Sequence, residues 1–224
     1  MKRKIVITQD GSSSVYDEQL GQHFHSHFGA LQESKHIFIE TGWRVASVQN
    51  KNEIAVLEIG MGTGLNLLLT YLESIKEEKC VFYETVEKYP LTLKEVMQLN
   101  YLSFLDVFGV TEFFSRVHSC DWDIIQELTP SFTLLKHHCS ALDMIFPVQS
   151  FHLVYFDAFS PDVQPELWSY KMFEMISESL KPNGVLVTYC IKGEVKRILK
   201  SLGFQIKKLS GPPGKREILQ ALKN

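Results

Sequence analysis

The sequence has only four cysteines and no C-x-x-C pair: Cys80, Cys120, Cys139 and Cys190 stand 40, 19 and 51 residues apart. That spacing argues against zinc knuckles and dithiol redox motifs, and the four are expected to be free thiols in a reducing compartment. Long apolar runs are also missing, since no stretch reaches the ~20 residues that a membrane span requires. The basic start Met1-Lys2-Arg3-Lys4 leads into an apolar run that stops at Ile7, too short for a secretion signal. Together these features lead us to expect a cytoplasmic chain with no membrane association. A G-x-S-x-G elbow, a Walker loop and paired metal-binding carboxylates are all lacking, which removes serine-hydrolase, P-loop and two-metal chemistry. The histidines of His23-Phe24-His25-Ser26-His27 alternate and would share one face of a strand. No cysteine or carboxylate pattern accompanies them, so no metal is expected.

What is present is ordinary globular composition, 45% hydrophobic and 22% charged over 224 residues. A chain of this size buries roughly 70 to 75% of the surface it exposes when unfolded and needs no staple. The net charge of -3 argues against gross attraction to nucleic acid, but the charge is uneven. From Cys190 onward nine basic residues (Lys192, Lys196, Arg197, Lys200, Lys207, Lys208, Lys215, Arg216 and Lys223) face two acidic ones, Glu194 and Glu217, a local +7 that leaves -10 elsewhere. A phosphate-binding face and the plain solvated faces of a helix and an edge strand both fit that asymmetry.

No repeat, low-complexity run or Pro/Gly/Ser-rich linker divides the chain, so it reads as an N-terminal extension over 1–52 packing on one domain over 53–224. In the extension, Lys4 to Thr8 reads as a strand, Asp10-Gly11-Ser12-Ser13 as a turn, and Leu31 to Glu40 as a helix or helix-strand segment. From Ile54 short apolar runs alternate with amphipathic stretches, the pattern of a parallel sheet covered on both faces. Strands are predicted near 54–59, 81–87, 132–138, 152–157 and 184–190, with 204–209 and 217–222 as a closing pair. Helices are predicted near 64–77, 91–99, 111–116, 165–180 and 193–202, the fourth stopping before the turn signal Lys181-Pro182-Asn183-Gly184. The segment from Tyr101 to Pro130 is the least legible.

The strand Val56-Leu57-Glu58-Ile59 runs straight into Gly60-Met61-Gly62-Thr63-Gly64, and a helix follows through Asn66. Glycines at alternate positions allow a tight turn and close approach of a ligand, and the free N–H groups of the helix start face it. The spacing is G-x-G-x-G, not the dinucleotide G-x-G-x-x-G, because position 65 is Leu. Glu58, two residues before the first glycine, is placed to hold the ammonium group of a bound amino acid. Glu87, at the end of the second strand, offers a carboxylate to two ribose hydroxyls. The three features favour S-adenosyl-L-methionine, whose binding is expected to use Glu58, Gly60, Met61, Gly62, Thr63, Gly64, Asn66 and Glu87. The fold expected is therefore α/β, a class I S-adenosylmethionine-dependent methyltransferase with a Rossmann-like, seven-stranded, mostly parallel sheet.

The strand Phe151-His152-Leu153-Val154-Tyr155-Phe156 ends in Asp157-Ala158-Phe159-Ser160-Pro161, followed by Pro165-Glu166-Leu167-Trp168. A carboxylate at the carboxyl end of a central strand opens onto the cofactor crevice, and Phe159 and Trp168 could stack on a planar acceptor. In the structural alternative Asp157 or Ser160 caps a turn while Phe159 and Trp168 fill core.

Four segments make the chain similar to the bacterial tRNA (5-methylaminomethyl-2-thiouridine) methyltransferases, which stand alone or form half of a bifunctional wobble-uridine modifying protein. They are Asp10-Gly11-Ser12-Ser13 with Phe24-His25-Ser26-His27-Phe28-Gly29-Ala30 and Glu33-Ser34; the loop from Glu58 to Asn66; Asp157-Ala158-Phe159-Ser160-Pro161 with Pro165 and Trp168; and Gly214-Lys215-Arg216-Glu217. Phe24 stands where the family usually has tyrosine. Cys139-Ser140 stand where many members place a Gly-Asp pair, so Ser140 is the residue left to contact adenine. The resemblance implies a stand-alone enzyme without the flavin-dependent half, converting 5-aminomethyl-(2-thio)uridine to 5-methylaminomethyl-(2-thio)uridine at the tRNA wobble position. It implies Asp157 as the residue that orients the amine, Phe159, Pro161 and Trp168 around the base, and Lys215 and Arg216 on phosphates of the anticodon region. No metal, membrane or obligate protein partner is expected. A small-molecule amine methyltransferase or an aminopropyltransferase would use a similar loop, and a non-catalytic RNA-binding module would keep the fold without turnover.

Overall fold

The computed structural model describes residues 2–50 and 52–224; Met1 and Lys51, both in the predicted N-terminal extension, lie outside the described residues. The chain opens with a three-stranded antiparallel sheet, β1 (Arg3–Ile7), β2 (Ser13–Asp17) and β3 (Gln22–His23). One continuous helical run follows: α1 (Ala30–Ser34), a π-helical segment (Lys35–Trp43) and α2 (Arg44–Gln49). The helix-or-strand ambiguity at 31–40 therefore resolves as helix. The run is read poorly from sequence because a π segment does not keep the 3.6-residue period.

The main sheet holds β4 (Glu53–Ile59), β5 (Cys80–Val86), β6 (Gln126–Thr129), β7 (Phe132–His137), β8 (Phe151–Phe156), β9 (Leu180–Thr188), β10 (Phe204–Ser210) and β11 (Glu217–Lys223). Their order is β10-β11-β9-β8-β4-β5-β7-β6. The five strands from β9 to β7 are parallel, and β6, β11 and β10 run antiparallel to their neighbours. All seven predicted strands are present, but among the described residues the sheet has eight. The addition is β6, a short edge strand that returns on β7 through Pro130 and Ser131, with no alternating apolar pattern to announce it.

The central strands are buried along nearly their whole length, as parallel strands covered on two sides must be. One face carries α3 (Leu65–Lys76), α5 (Val110–Ser119) and the π-helical segment, which touches β8, β9 and β11. The other carries α6 (Tyr170–Ser179) and α7 (Gly193–Ser201) around Phe156, Phe173 and Leu199. Because the π-helical segment also packs on α3, that helix is buried around most of its circumference.

Three element boundaries differ from expectation. The helix at 91–99 is reduced to α4 (Leu93–Val96), started by a capping box between Thr92 and Glu95 and not continued. The helix at 165–180 is split: Pro165–Trp168 forms a 3-10 turn, and Ser169 caps α6 by accepting from the Met172 N–H. The Lys181-Pro182-Asn183-Gly184 turn lies inside β9, where the register against β8 shifts and Asn183 takes a positive φ.

β4 continues on one side of the sheet to β5, and the chain later returns to β8 on the other side of β4. This reversal leaves a crevice at the carboxyl ends of β4 and β8, the place where doubly wound sheets take ligands.

Candidate active site

The crevice is a cavity of about 440 Å³. Its floor is the glycine loop between β4 and α3. Gly60, Gly62 and Gly64 all have positive φ, and the loop is pinned from three sides. The Gly60 N–H donates to Val86 O at 3.0 Å, the Gly62 N–H to Glu87 Oε2 at 3.0 Å, and Asp157 N–H to Ile59 O at 3.0 Å. Glu87 Oε1 accepts from the Tyr89 N–H at 2.7 Å, so the carboxylate is oriented while each oxygen keeps a second lone pair for a ligand. Gly60, Met61, Gly62, Thr63, Asn66 and Glu87 line the cavity; Gly64 turns away from it toward His118.

Glu58 is not on the cavity wall. It is 0% exposed and lies behind Asn66, accepting from Asn66 Nδ2 at 3.0 Å and from Thr85 Oγ1 at 3.1 Å. Burial pushes its carboxyl up to about 8, against the hydrogen bonds that favour the ionised form. The same Asn66 amide nitrogen donates to Asp157 Oδ2 at 2.9 Å, so one amide bridges two carboxyl groups. Asn66 Oδ1 is buried with no hydrogen-bond partner among the described residues. An unsatisfied acceptor on the wall of a cavity is costly unless a ligand supplies a donor. Together with the glycine cradle it fits the ammonium of an amino-acid-bearing cofactor better than Glu58 does.

Asp157 stands at the end of β8, on the cavity wall. Burial first, then the neighbouring Glu58 and Glu33 carboxyls, push its own carboxyl well above the usual range. Phe159, two residues on, points its ring into the cavity and meets Phe24 edge to face, with centroids 5.3 Å apart. The backbone that presents Phe159 is held at both ends: its N–H donates to Gln164 Oε1 at 3.1 Å and its carbonyl accepts from Trp168 Nε1 at 2.7 Å. Trp168 itself is 4% exposed and packs on Phe156 and Phe173. It does not line the cavity, which corrects the expectation that it stacks on an acceptor: its indole fills core and its N–H ties down the acceptor loop. Pro161 likewise sits outside the wall.

Ser140 is half-buried between Cys139 and Ala141, which do line the cavity, and its Oγ caps the following turn by accepting from the Leu142 N–H at 3.4 Å. Lys215 and Arg216 diverge. Lys215 enters the cavity and pairs with Glu33 at 2.7 Å, whereas Arg216 is exposed. A joint phosphate contact by the two is therefore not the arrangement found. His25 is half-buried, meets Ser14 Oγ at 3.1 Å through Nδ1, and is pushed down to about 4 by desolvation. Among the described residues no group of three His, Cys, Asp or Glu side chains is arranged to hold a metal ion.

Sequence reasoning gave no role to Phe24, Glu33 or Tyr189, all on the cavity wall. Phe24 and Glu33 lie in the N-terminal signature quoted above, and Tyr189 follows the end of a central strand, which was the available signal.

A cavity at the β4/β8 switch point, a glycine cradle with a buried unpaired acceptor and an acidic residue after the second strand are arranged as in the fold of the S-adenosyl-L-methionine-dependent methyltransferases. Residues 126–224 match the family model described as S-adenosyl-L-methionine-dependent methyltransferase. Relatives that most of the chain matches include MnmC proteins. It is 31% identical over 202 residues to the tRNA 5-methylaminomethyl-2-thiouridine biosynthesis bifunctional protein MnmC of Marinomonas sp. (strain MWYL1), covering 84% of this chain and 29% of that protein. It is 28% identical over 223 residues to the protein of the same name from Nitrosospira multiformis, covering 93% and 35%. The chain thus spans about a third of the length of these curated relatives. The crystal structure of MNMC2 from Aquifex aeolicus superposes with a TM-score of 0.80 at 24% identity, over 98% of this chain and 69% of that one. The magnesium protoporphyrin IX methyltransferase (ChlM) from Synechocystis PCC 6803, with bound SAM, shares the fold at a TM-score of 0.51 and 10% identity, over 81% and 76%.

Proposed function

We propose that this protein methylates the amine of 5-aminomethyluridine, or of its 2-thio form, at the wobble position of tRNA, giving the 5-methylaminomethyl nucleoside. The observation that carries the reading is Asp157 on the cavity wall beside the glycine loop, with the Phe24–Phe159 pair next to it. The printed name of the MnmC relatives, which specifies biosynthesis of this product, supports it. S-adenosyl-L-methionine, when bound, supplies a methyl group on a good leaving group. Gly60, Gly62, Asn66 and Glu87 would hold it, the last through its ribose hydroxyls.

The chain's own contribution is alignment and proton handling. Asp157 accepts a hydrogen bond from the acceptor amine and aims its lone pair. Oδ2 is fixed by Asn66, which leaves Oδ1 for the amine. As the new C–N bond forms, nitrogen becomes a cation with a proton to lose, and a carboxyl held above its ordinary range is well matched to take it. Phe24 and Phe159, packed edge to face, put aromatic surface where an unstacked base would lie, as single-stranded RNA readers do. Arg216, Lys196 and Arg197 make no ion pair among the described residues. Arg216 lies on the β10–β11 turn next to Lys215 of the cavity wall, and Lys196 and Arg197 lie on α7; the three are the phosphate contacts in this reading. In this reading the protein works on tRNA in the cytoplasm; no helix of the described residues is long and apolar enough to cross a membrane.

The test is incubation with methyl-labelled S-adenosyl-L-methionine and tRNA from a strain lacking this enzyme, followed by nucleoside analysis. Label in 5-methylaminomethyl nucleosides is expected. Label on free polyamines with none in tRNA would replace this reading with a small-molecule one.

A further inference from the structure

We propose that Lys215, held on Glu33, is a fixed positive charge at the acceptor end of the cavity that keeps the incoming amine unprotonated and so able to attack. The proposal rests on the amine-methylation reading above. Lys215 Nζ lies 2.7 Å from Glu33 Oε1 and 5.1 Å from the centre of the Tyr189 ring. Glu33 is 8% exposed, and its other oxygen accepts from the Ser26 N–H at 2.6 Å, so the anchor is rigid. The Tyr189 hydroxyl donates to Ala158 O at 2.8 Å, which ties the lysine's platform to the residue after Asp157. Gly214 has a φ of +85°, and a Cβ there would collide with the Phe28 ring, so the turn carrying Lys215 is seated against the start of the N-terminal helix. Lysine is thereby directed inward, away from the solvent its charge would otherwise seek.

An alkylamine free in water holds its proton to a pKa of about 10, with its lone pair blocked at neutral pH. Two carboxylates around it would strengthen that hold, because an opposite charge favours the charged form. A neighbouring cation does the reverse, which is how some enzymes activate an amine nucleophile. The groups that Lys215 touches or acts on are Glu33 on α1, His25 ahead of it, Asp157 after β8 and Tyr189 after β9; His27 shares the cavity wall, while Glu58 on β4 lies off it behind Asn66. His25 is neutral near pH 7 because burial pushes it down to about 4, and Glu58, pushed up to about 8, is mostly protonated. That leaves Glu33 and Lys215 as the fixed charges beside the amine, with Asp157, its carboxyl pushed well above the usual range, as the group that exchanges a proton with it.

The experiment is the pH profile of kcat for methyl transfer to an anticodon stem-loop carrying 5-aminomethyluridine at the wobble position. Lys215→Met should move the acid limb to higher pH by about one unit, Lys215→Arg should restore it, and Glu33→Gln should move it to lower pH. The Lys215→Met shift should persist in an Asp157→Asn background, since it acts on the amine and not through Asp157. An acid limb unmoved in Lys215→Met, or one that Lys215→Arg fails to restore, overturns the proposal. Should Lys215→Met not fold, Glu33→Gln decides, a downward shift supporting the proposal and none overturning it. A wild-type protein that transfers nothing to the stem-loop at any pH removes the amine-methylation reading and this inference with it; an active wild type with unshifted variants removes this inference alone.

Discussion

Replacing Gly60 with alanine strains the joint between the cofactor loop and the acceptor loop. Gly60 has a φ of +91°, and its missing Cβ would fall 2.7 Å from the Asp157 carbonyl oxygen and 3.2 Å from its carbonyl carbon. Alanine in that conformation costs ~1–2 kcal/mol from backbone sterics alone. The contact adds a further ~1–3 kcal/mol, because both atoms it meets are backbone and only a shift of the loop relieves it. The sum, about 2–5 kcal/mol, is a large part of the stability of an ordinary domain and corresponds to a Tm lowered by roughly 4 to 20 °C at this size. Gly203 is the control: its φ is +86° but a Cβ would meet nothing within 4 Å, so Gly203→Ala should show the backbone cost alone, ~1–2 kcal/mol. Urea unfolding of both variants separates the two contributions, and titration calorimetry of S-adenosyl-L-methionine should show weakened binding only in Gly60→Ala. Equal loss of stability in the two variants would refute the reasoning, since it would mean that the Asp157 carbonyl yields without cost.

Asp157→Asn should lower turnover roughly 30- to 1000-fold, equivalent to ~2–4 kcal/mol, with cofactor affinity little changed; steady-state kinetics beside calorimetry check this, and a near-normal rate would reduce Asp157 to a structural role. Glu58 is pushed up to about 8 from an ordinary 4.5, so in this window the folded protein keeps a proton that the unfolded chain has lost. Its stabilising contribution is present below pH 4.5 and is lost as pH rises through about 8, at about 1.4 kcal/mol per unit. Denaturant unfolding from pH 5 to 8 should show that slope in the wild type relative to Glu58→Gln, and parallel curves would contradict it. Trp168→Phe keeps an aromatic ring but leaves a small cavity and removes the bond to the Phe159 carbonyl, and should cost ~1–3 kcal/mol in unfolding experiments while raising KM for tRNA more than Kd for the cofactor. Arg216→Gln should flatten the log-log salt dependence of tRNA binding by about 0.7 to 0.9, read from affinities at several salt concentrations, while an unchanged slope takes Arg216 off the RNA face.

The parts legible in the sequence are those fixed by short-range physics. Runs such as Ala55–Ile59 and Leu153–Phe156 can only be strands covered on both sides, and Gly60-x-Gly62-x-Gly64 at the end of one of them locates the crevice. Orientation was not legible. Whether Glu58 faces the ligand or the core depends on Asn66 standing between them, and whether Lys215 reaches outward or inward depends on Glu33 and Phe28, far away in the chain. Trp168 was misplaced for a related reason: an aromatic beside a functional loop reads the same whether it touches the ligand or braces the loop. β6 escaped notice because Gln126–Thr129, an edge strand with one buried residue, carries almost no burial pattern.

The cavity wall draws on Phe24 and Glu33 near one end of the sequence, on the β4 and β8 loops in its middle, and on Lys215 near the other. A ligand that fills the cavity therefore touches segments far apart in the chain, and its binding energy is shared among them. By mass action a ligand at a hundred times its Kd adds about 2.7 kcal/mol to folding. Amide hydrogen exchange should accordingly slow in residues 24–33 and 211–216 when S-adenosyl-L-methionine is added, making the methyl donor a clasp for the fold as well as a reagent.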